Sequence, residues 1–154
     1  MDQFMKRAVQ LAAENVRDGG EPFGAVLVKD GRIVTEGVNE LHKKYDISGH
    51  AELVAIRKAQ AELQTHDLSG YTMYASGEPC PMCFTSMYYT GINEAYYCAT
   101  VEDTADAGLT ASEVLYIDLK KPTEERQTIS MKHMKLEEGQ EDPMKLWKER
   151  NENG

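Results

Sequence analysis

Basic residues are scarce in this sequence. Its 154 residues contain 17 Lys and Arg against 26 Asp and Glu, which gives a formal net charge of −9. Proteins that grip a phosphate backbone gain affinity from clustered Lys and Arg, because these side chains release counterions. The longest basic runs here are pairs of residues, such as those at 43–44 and 120–121. The composition therefore argues against a nucleic-acid partner and favours a small, uncharged substrate.

Long apolar runs, repeats and flexible linkers are also missing. Nothing approaches the roughly 20 apolar residues that a membrane-spanning helix needs, and the first residues, MDQFMKR, lack the pattern of a signal peptide. The length of 154 residues is about one domain's worth, and no composition shift divides it. We therefore expect a single domain over residues 1–154, a cytoplasmic location and no membrane partner.

Cysteine is nearly absent as well. The chain has three, and two of them lie close together as Cys80 and Cys83 in the segment PCPMC. An odd count with one close pair favours a reducing compartment and a metal or redox site over a disulfide framework. The third, Cys98, stands alone in a strand-like pattern and is predicted to be a small core residue.

The hydrophobic pattern alternates between helix and strand. It predicts a first helix that stops at residues 18–20, followed by strands at 23–28 and 33–38 that an Asp-Gly turn joins. A second helix opens at 48–50, and a strand follows at 71–75. The rest of the pattern predicts a helix at 81–90, a strand at 94–99 and a terminal helix at 144–150. Residues 103–116 fit both a short helix and a loop. The order indicates a layered α/β domain, with an antiparallel hairpin first and parallel strands after it.

Two short motifs carry the chemistry. His50-Ala51-Glu52 has the pattern H-x-E, and residues 79–83 have the pattern P-C-x-x-C. If Pro81 begins a helix, the sulfurs of Cys80 and Cys83 project from the same side of its first turn. Zinc takes thiolate and imidazole ligands in a tetrahedron, and catalytic sites leave the fourth position free. We therefore predict a catalytic Zn²⁺ held by His50, Cys80 and Cys83.

Glu52 is the predicted proton carrier. It lies two residues beyond His50, so on a helix its side chain points elsewhere than the metal ligand. A carboxylate in that position can take a proton from water and deliver it to a ring nitrogen and then to the departing amine. Each motif alone is weak, because C-x-x-C also occurs in redox dithiols and in zinc ribbons. The second C-x-x-C of a ribbon is missing here.

The combination resembles the signature of the cytidine deaminase-like superfamily and, within it, the small bacterial guanine deaminases. The likeness covers nearly the whole chain. It includes the segments 22–26, 36–39, 50–52, 55–59, 78–83, 106–108 and 121–126.

That resemblance implies an α/β fold, a three-layer α/β/α sandwich around a five-stranded mixed sheet. It also implies a homodimer in which the C-terminal segment can be exchanged between subunits. For the substrate, it implies that Asn39 hydrogen-bonds the base and that Phe23 packs against the ring. It further implies that the backbone at Ala51 and Cys80 lies beside substrate or oxyanion and that Tyr89 takes the place of a large aromatic residue in the family.

The chain departs from the family's pattern at two places. The acidic residue that reads guanine is expected just after Gly108, where this chain has Leu109 to Ser112, so Glu113 is the nearest carboxylate. The family's terminal tyrosine is also replaced, because this chain ends in NENG. We therefore assign Glu113 to the substrate site.

The predicted function is hydrolytic deamination of a small nucleobase-like heterocycle, guanine to xanthine and ammonia or a related amino-purine. A tRNA wobble adenosine deaminase shares the zinc motif but needs a basic surface, and a cytosine or cytidine deaminase stays open. A zinc-stabilised binding domain without turnover is the non-enzymatic alternative. It would not need the carboxylate of Glu52 beside the metal.

Overall fold

The computed structural model describes residues 2–153, which form an α/β fold. The helices are α1 (Gln3–Arg17), α2 (Ala51–Leu63), α3 (Pro81–Thr90), α4 (Val101–Asp106), α5 (Ala111–Leu119) and α6 (Pro143–Asn153). The strands are β1 (Gly24–Lys29), β2 (Arg32–Val38), β3 (Thr72–Gly77) and β4 (Glu94–Ala99). The chain divides into two compact units between Ile117 and Asp118. Within the described residues, no helix is both long and apolar enough to cross a membrane.

The sheet is mixed, with the strand order β2-β1-β3-β4. Strand β1 pairs antiparallel with both β2 and β3, and β3 pairs parallel with β4. The β1–β2 hairpin turns at Asp30 and Gly31, which have φ angles of 51° and 73°. Positive φ at both central residues is what a two-residue hairpin turn of matching twist requires, and Asp-Gly tolerates it. The predicted hairpin followed by parallel pairing is confirmed.

Helices cover both faces of the sheet because two glycines let them approach closely. Gly24 lies opposite Val38 in the hairpin, so these two positions share one face of the sheet. Gly37, the neighbour of Val38 in β2, therefore lies on the other face. A Cβ at Gly24 would lie 2.5 Å from the carbonyl oxygen of Ala8 in α1, and a Cβ at Gly37 would overlap the carbonyl oxygen of Ala51 in α2. The result is three layers, with α1 on one side and α2 on the other.

The core fills the space between the sheet and α2. Its members are almost fully buried and, apart from Tyr71, small or aliphatic. They include Leu27, Met73 and Ala75 from the sheet and Ala55, Ile56 and Ala59 from α2. Met87 of α3 joins the same cluster. This packing holds the N-terminal ends of α2 and α3 over one end of the sheet.

The prediction of five strands is wrong. The described residues form four, and β4 ends the sheet with an outer edge that no other described segment pairs. A fifth strand needs a ladder partner at an open edge, and the residues after α5 form none. The prediction that Cys98 lies in the core is also wrong, because every residue of β4 from Glu94 to Cys98 is exposed.

The second unit begins at Asp118, whose carboxylate fixes the conformation of the residues that follow it in this unit. Asp118 accepts hydrogen bonds from the backbone N–H groups of Gln127 and Thr128, at 3.0 Å each, and from the Thr128 hydroxyl. The hydroxyl is the largest cause that holds the pKa of Asp118 well below its ordinary value. The large apolar side chains of this unit are exposed: Leu119, Ile129, Met131, Met134, Leu136, Met144, Leu146 and Trp147.

Replacing Gly37 with Ala is expected to destabilise the fold by about 1–3 kcal/mol, since the added methyl overlaps backbone atoms of α2 that cannot rotate away. Urea unfolding of the Gly37→Ala protein measures the loss. Arg32→Ala, at an exposed position in the same strand, serves as the control and should change stability by no more than about 0.5 kcal/mol. Equal stability of Gly37→Ala and the parent would show that α2 does not need this close approach.

Candidate active site

Two helix N-termini place the three metal-ligand candidates. His50 is the N-cap residue of α2 and Cys80 is the N-cap residue of α3, with Pro81 in the first turn of α3. Cys83 follows one turn later and is buried. The N-terminal end of a helix carries partial positive charge and favours anions such as thiolates. The sequence motifs therefore sit where local backbone electrostatics support ionised sulfur.

The side chains of His50, Cys80 and Cys83 converge on one point. The Nδ1 atom of His50 lies 3.4 Å from Sγ of Cys80 and 3.5 Å from Sγ of Cys83. The three donor atoms all lie within 4.8 Å of one another. Ligands at about 2.3 Å (sulfur) and 2.0 Å (nitrogen) around a tetrahedral zinc ion are roughly 3.5 Å apart. Donor type and spacing therefore both fit Zn²⁺.

The cluster also perturbs the acid–base properties of its own members. Hydrogen bonding from Cys83 is the largest cause that lowers the pKa of Cys80 to about 4, and His50 lowers it further. The same contact raises the pKa of Cys83, which acts as the proton donor. The hydrogen bond to Cys80 raises the pKa of His50. One sulfur of the pair is thus readily ionised, as a metal-binding thiol must be.

Glu52 lies in the first turn of α2, and its side chain is buried, with the residue only 6% exposed. Burial is the largest cause that raises its pKa to about 7, and the neighbouring charge of Cys80 contributes. A carboxyl group with a pKa close to neutrality can both accept and donate a proton at working pH. Glu52 is therefore suited to carry a proton, as predicted from its offset from His50.

A small cavity of about 40 Å³ opens beside the cluster. It is lined by Phe23, Asn39, His50, Glu52, Glu78, Cys80 and Ser112. Phe23 and Asn39 were expected there from the resemblance. The other expected substrate residues are not among those that line this cavity: Ala51, between His50 and Glu52, is fully buried, Tyr89 is 80% exposed on α3, and Glu113 follows Ser112. Their predicted roles at the substrate stay predictions.

Asn39 is held rigidly at the cavity wall. Its side-chain amide donates to Oε2 of Glu21 at 2.9 Å, and its Oδ1 accepts from the backbone N–H of Leu41 at 3.0 Å. Its own backbone carbonyl accepts from Asn15 at 2.9 Å. Among residues 2–153 these contacts use one of the two amide hydrogens and one of the two Oδ1 lone pairs. One donor and one acceptor of Asn39 thus stay available to a ligand.

Phe23 owes its position to Gly77 at the end of β3. A Cβ at Gly77 would lie 2.9 Å from the Phe23 ring, so any larger residue there would displace the aromatic side chain. The ring reaches the cavity wall, where it can cover the face of a flat heterocycle.

Sequence reasoning missed several residues that shape this site. Glu21 orients Asn39, and Glu78, which accepts from the backbone N–H of Val101 at 3.2 Å, forms part of the wall. Ser112 and Tyr116 come from α5, in a region whose pattern fitted both helix and loop. The Tyr116 hydroxyl donates to the carbonyl of Pro79. The position of Glu21 two residues before Phe23 carried no signal that separates it from a surface carboxylate.

Comparisons with known proteins agree with this geometry. Residues 1–99 match the family model described as the cytidine and deoxycytidylate deaminase zinc-binding region. The chain is 45% identical over 126 residues to the guanine deaminase of Bacillus subtilis, covering 81% of this chain and 80% of that protein. A tRNA-specific adenosine deaminase of Agrobacterium fabrum is 37% identical over 95 residues, 59% of this chain and 62% of that protein.

Solved structures give the same result. The crystal structure of the Bacillus subtilis guanine deaminase superposes with a TM-score of 0.86 at 41% identity, over 97% of this chain and 95% of that one. The guanine deaminase of Nitrosomonas europaea superposes with a TM-score of 0.64 at 28% identity, over 68% of this chain and 62% of that one. Ligand cluster, buried carboxylate, family match and whole-chain similarity agree, and the chain belongs to the cytidine and deoxycytidylate deaminase family.

Proposed function

We propose that this chain is a zinc-dependent deaminase that hydrolyses guanine, or a closely related amino-purine, to the oxo compound and ammonia. The observation that carries the proposal is the buried carboxyl of Glu52 on the same cavity wall as His50 and Cys80. His50, Cys80 and Cys83 would hold the zinc ion. When bound, zinc supplies a Lewis acid that makes water more acidic. A zinc-stabilised binding domain would have no use for a buried carboxylate at that place.

Glu52 performs the proton transfers. Deamination consumes one water and releases ammonia, so a proton must move from the attacking water to the ring nitrogen and a further proton must reach the departing amine. A single carboxyl with a pKa near 7 can accept and release these protons in turn. Its burial excludes bulk water that would compete for the same protons.

Phe23 and Asn39 bind the base. The Phe23 ring covers one face of a planar heterocycle, and Asn39 offers one donor and one acceptor to its edge. Because Glu21 and Leu41 fix the Asn39 amide, little side-chain freedom is lost on binding.

We propose guanine as the substrate, ahead of the alternatives, for two reasons. The relative that matches over four-fifths of both chains is a guanine deaminase, whereas the similarity to the tRNA adenosine deaminase covers 59% of this chain. The net charge of −9 opposes binding of an anticodon stem. Cytosine and cytidine stay secondary candidates, and the cytoplasmic location stays a prediction.

We also propose a homodimer in which the C-terminal segment is exchanged. The outer edge of β4 has no strand partner among the described residues. Beside it lies an apolar groove of about 700 Å³, whose walls include the exposed side chains of Phe84, Tyr88 and Tyr97. Residues 118–153 separately carry exposed Ile, Leu, Met and Trp side chains. Exposed apolar surface on this scale is typical of protein interfaces.

The protein is expected to bind about one zinc ion per chain through His50, Cys80 and Cys83. Elemental analysis after expression in zinc-supplemented medium measures the zinc content per chain. Cys80→Ala should lose the metal, whereas His66→Ala, at an exposed histidine outside the site, should retain it. Metal-free parent protein, or a disulfide between Cys80 and Cys83 in the purified protein, would refute the zinc assignment.

The zinc-loaded protein should release ammonia from guanine, and Glu52→Gln should reduce kcat by about two to four orders of magnitude, because Gln keeps the shape but carries no exchangeable acidic proton. Glu62→Gln, at an exposed position of the same helix, is the matched control and should retain turnover. An ammonia assay over guanine, guanosine, adenine, cytosine and cytidine reads out the substrate.

Near-normal turnover of Glu52→Gln would remove Glu52 from the mechanism, and loss of zinc in that variant would make it a structural residue. Ammonia release from a wobble-adenosine anticodon stem-loop, with none from any free base, would replace guanine deamination by tRNA editing. Release from another free base would keep the reaction and change the substrate.

In solution the mass should be twice the chain mass of 17.3 kDa. If tails are exchanged, co-expressing Glu52→Gln with a chain that ends before α6 should restore activity, since the mixed dimer combines one intact cluster with an intact tail from its partner. Co-expressing Glu52→Gln with His50→Ala is the control, because both clusters are then defective. Light scattering measures the mass in solution, and the ammonia assay measures the activity of the two mixtures. A monomer, or equal activity in the two mixtures, would contradict the exchange.

A further inference from the structure

Within the part of the chain that the structure describes, the hydroxyl of Ser112 is the one polar atom of the cavity wall that is buried without a partner. Its Oγ is shielded from solvent, and among residues 2–153 nothing hydrogen-bonds to it. Ser112 lines the same cavity as Glu52 and Asn39. A buried hydroxyl normally has a hydrogen-bond partner, so an unpaired one beside a substrate cavity suggests that the partner is the substrate.

Helix α5 holds this hydroxyl in place. Ser112 lies in its first turn and Tyr116 lies four residues later, so the two side chains share one face of the helix. The Tyr116 hydroxyl donates to the carbonyl of Pro79, the residue before the metal ligand Cys80. That bond ties the Ser112 face of α5 to the chain segment that carries the metal ligands.

The neighbouring polar side chains of Glu78 and Asn39 differ from Ser112, because each already has at least one partner in the protein. Glu78 accepts from the backbone N–H of Val101, and Asn39 is bonded to Glu21 and Leu41. Glu113 follows Ser112 directly and therefore points about 100° away around the helix, and it is not part of the wall. Of the residues near the start of α5, Ser112 alone lines this cavity.

We infer that Ser112 is a specificity-determining residue, whose hydroxyl hydrogen-bonds a polar atom on the edge of the substrate ring. The inference rests on the proposed deamination of a free base and names a second edge contact beside that of Asn39. A serine hydroxyl is neutral and can donate or accept. The ring atom it contacts is therefore an uncharged oxygen, nitrogen or N–H group.

The test compares Ser112→Ala with the parent enzyme, using guanine, 2-aminopurine, which lacks the 6-oxygen, and 7-deazaguanine, which lacks N7. Ser112→Ala should reduce kcat/KM for guanine roughly tenfold, the size expected for one neutral hydrogen bond. The reduction should disappear for the analogue that lacks the contacted atom. Competitive inhibition constants of the three bases give the same comparison for binding alone.

Thr110→Ala is the matched control, since it removes a hydroxyl from an exposed position two residues away. It should leave kcat/KM unchanged, and thermal melting should show that both variants fold like the parent. Unchanged kinetics of Ser112→Ala would overturn the inference while ammonia release by the parent keeps the proposed function. The same reduction for all three bases, with parent-like melting, would place the contact at an edge atom that the three bases share. If the parent releases ammonia from no base, the proposed function fails and the role of Ser112 fails with it.

Discussion

The close approach of α2 to the sheet at Gly37 determines where the chemistry of this protein can lie. The backbone of α2 at Ala51 occupies the space that a side chain at position 37 would need. Because His50 caps this helix and Glu52 lies in its first turn, the same contact positions a candidate metal ligand and the proposed proton carrier together. Buried Met87 in α3 packs into the common core, which places the start of α3 and its cysteines next to the start of α2.

The site concentrates ionisable groups that would be costly to bury singly. Glu52 is buried beside two cysteines, and its pKa of about 7 reflects that environment. Helix N-termini offset part of the cost for the sulfurs, because both ligand segments begin helices. The cation that the cluster fits would offset more, since a positive ion favours ionised thiols and carboxylates around it. The fold thus stabilises ionised side chains at the start of α2 and α3, where the proposed deamination needs them.

Much of this could be predicted from the sequence, and the reasons are local. Ligand spacing in PCPMC, the H-x-E offset and the Asp-Gly turn depend on neighbouring residues, so the metal cluster, the hairpin and the helix starts follow from a few positions. Contacts between distant segments could not be predicted in that way. Glu21 orients Asn39 across 18 positions, and Ser112 lines the cavity from a helix that the Tyr116–Pro79 hydrogen bond ties to the cysteine segment. The number of strands was inferred from resemblance, without a residue pattern for a fifth strand, and that prediction was wrong.

The exposure of β4 has a physical explanation if the chain acts with a partner. A sheet edge with unpaired backbone groups tends to associate with other chains, and soluble proteins protect such edges with Lys, Pro or a bulge. The sequence of β4, EAYYCA, contains none of the protective residues and has two adjacent tyrosines that are each about half exposed. Cys98 fits a core residue by pattern and is exposed for the same reason. A strand with the composition of a buried one, left at an open edge, supports the proposed dimer. The exposed apolar residues of the second unit support the same proposal.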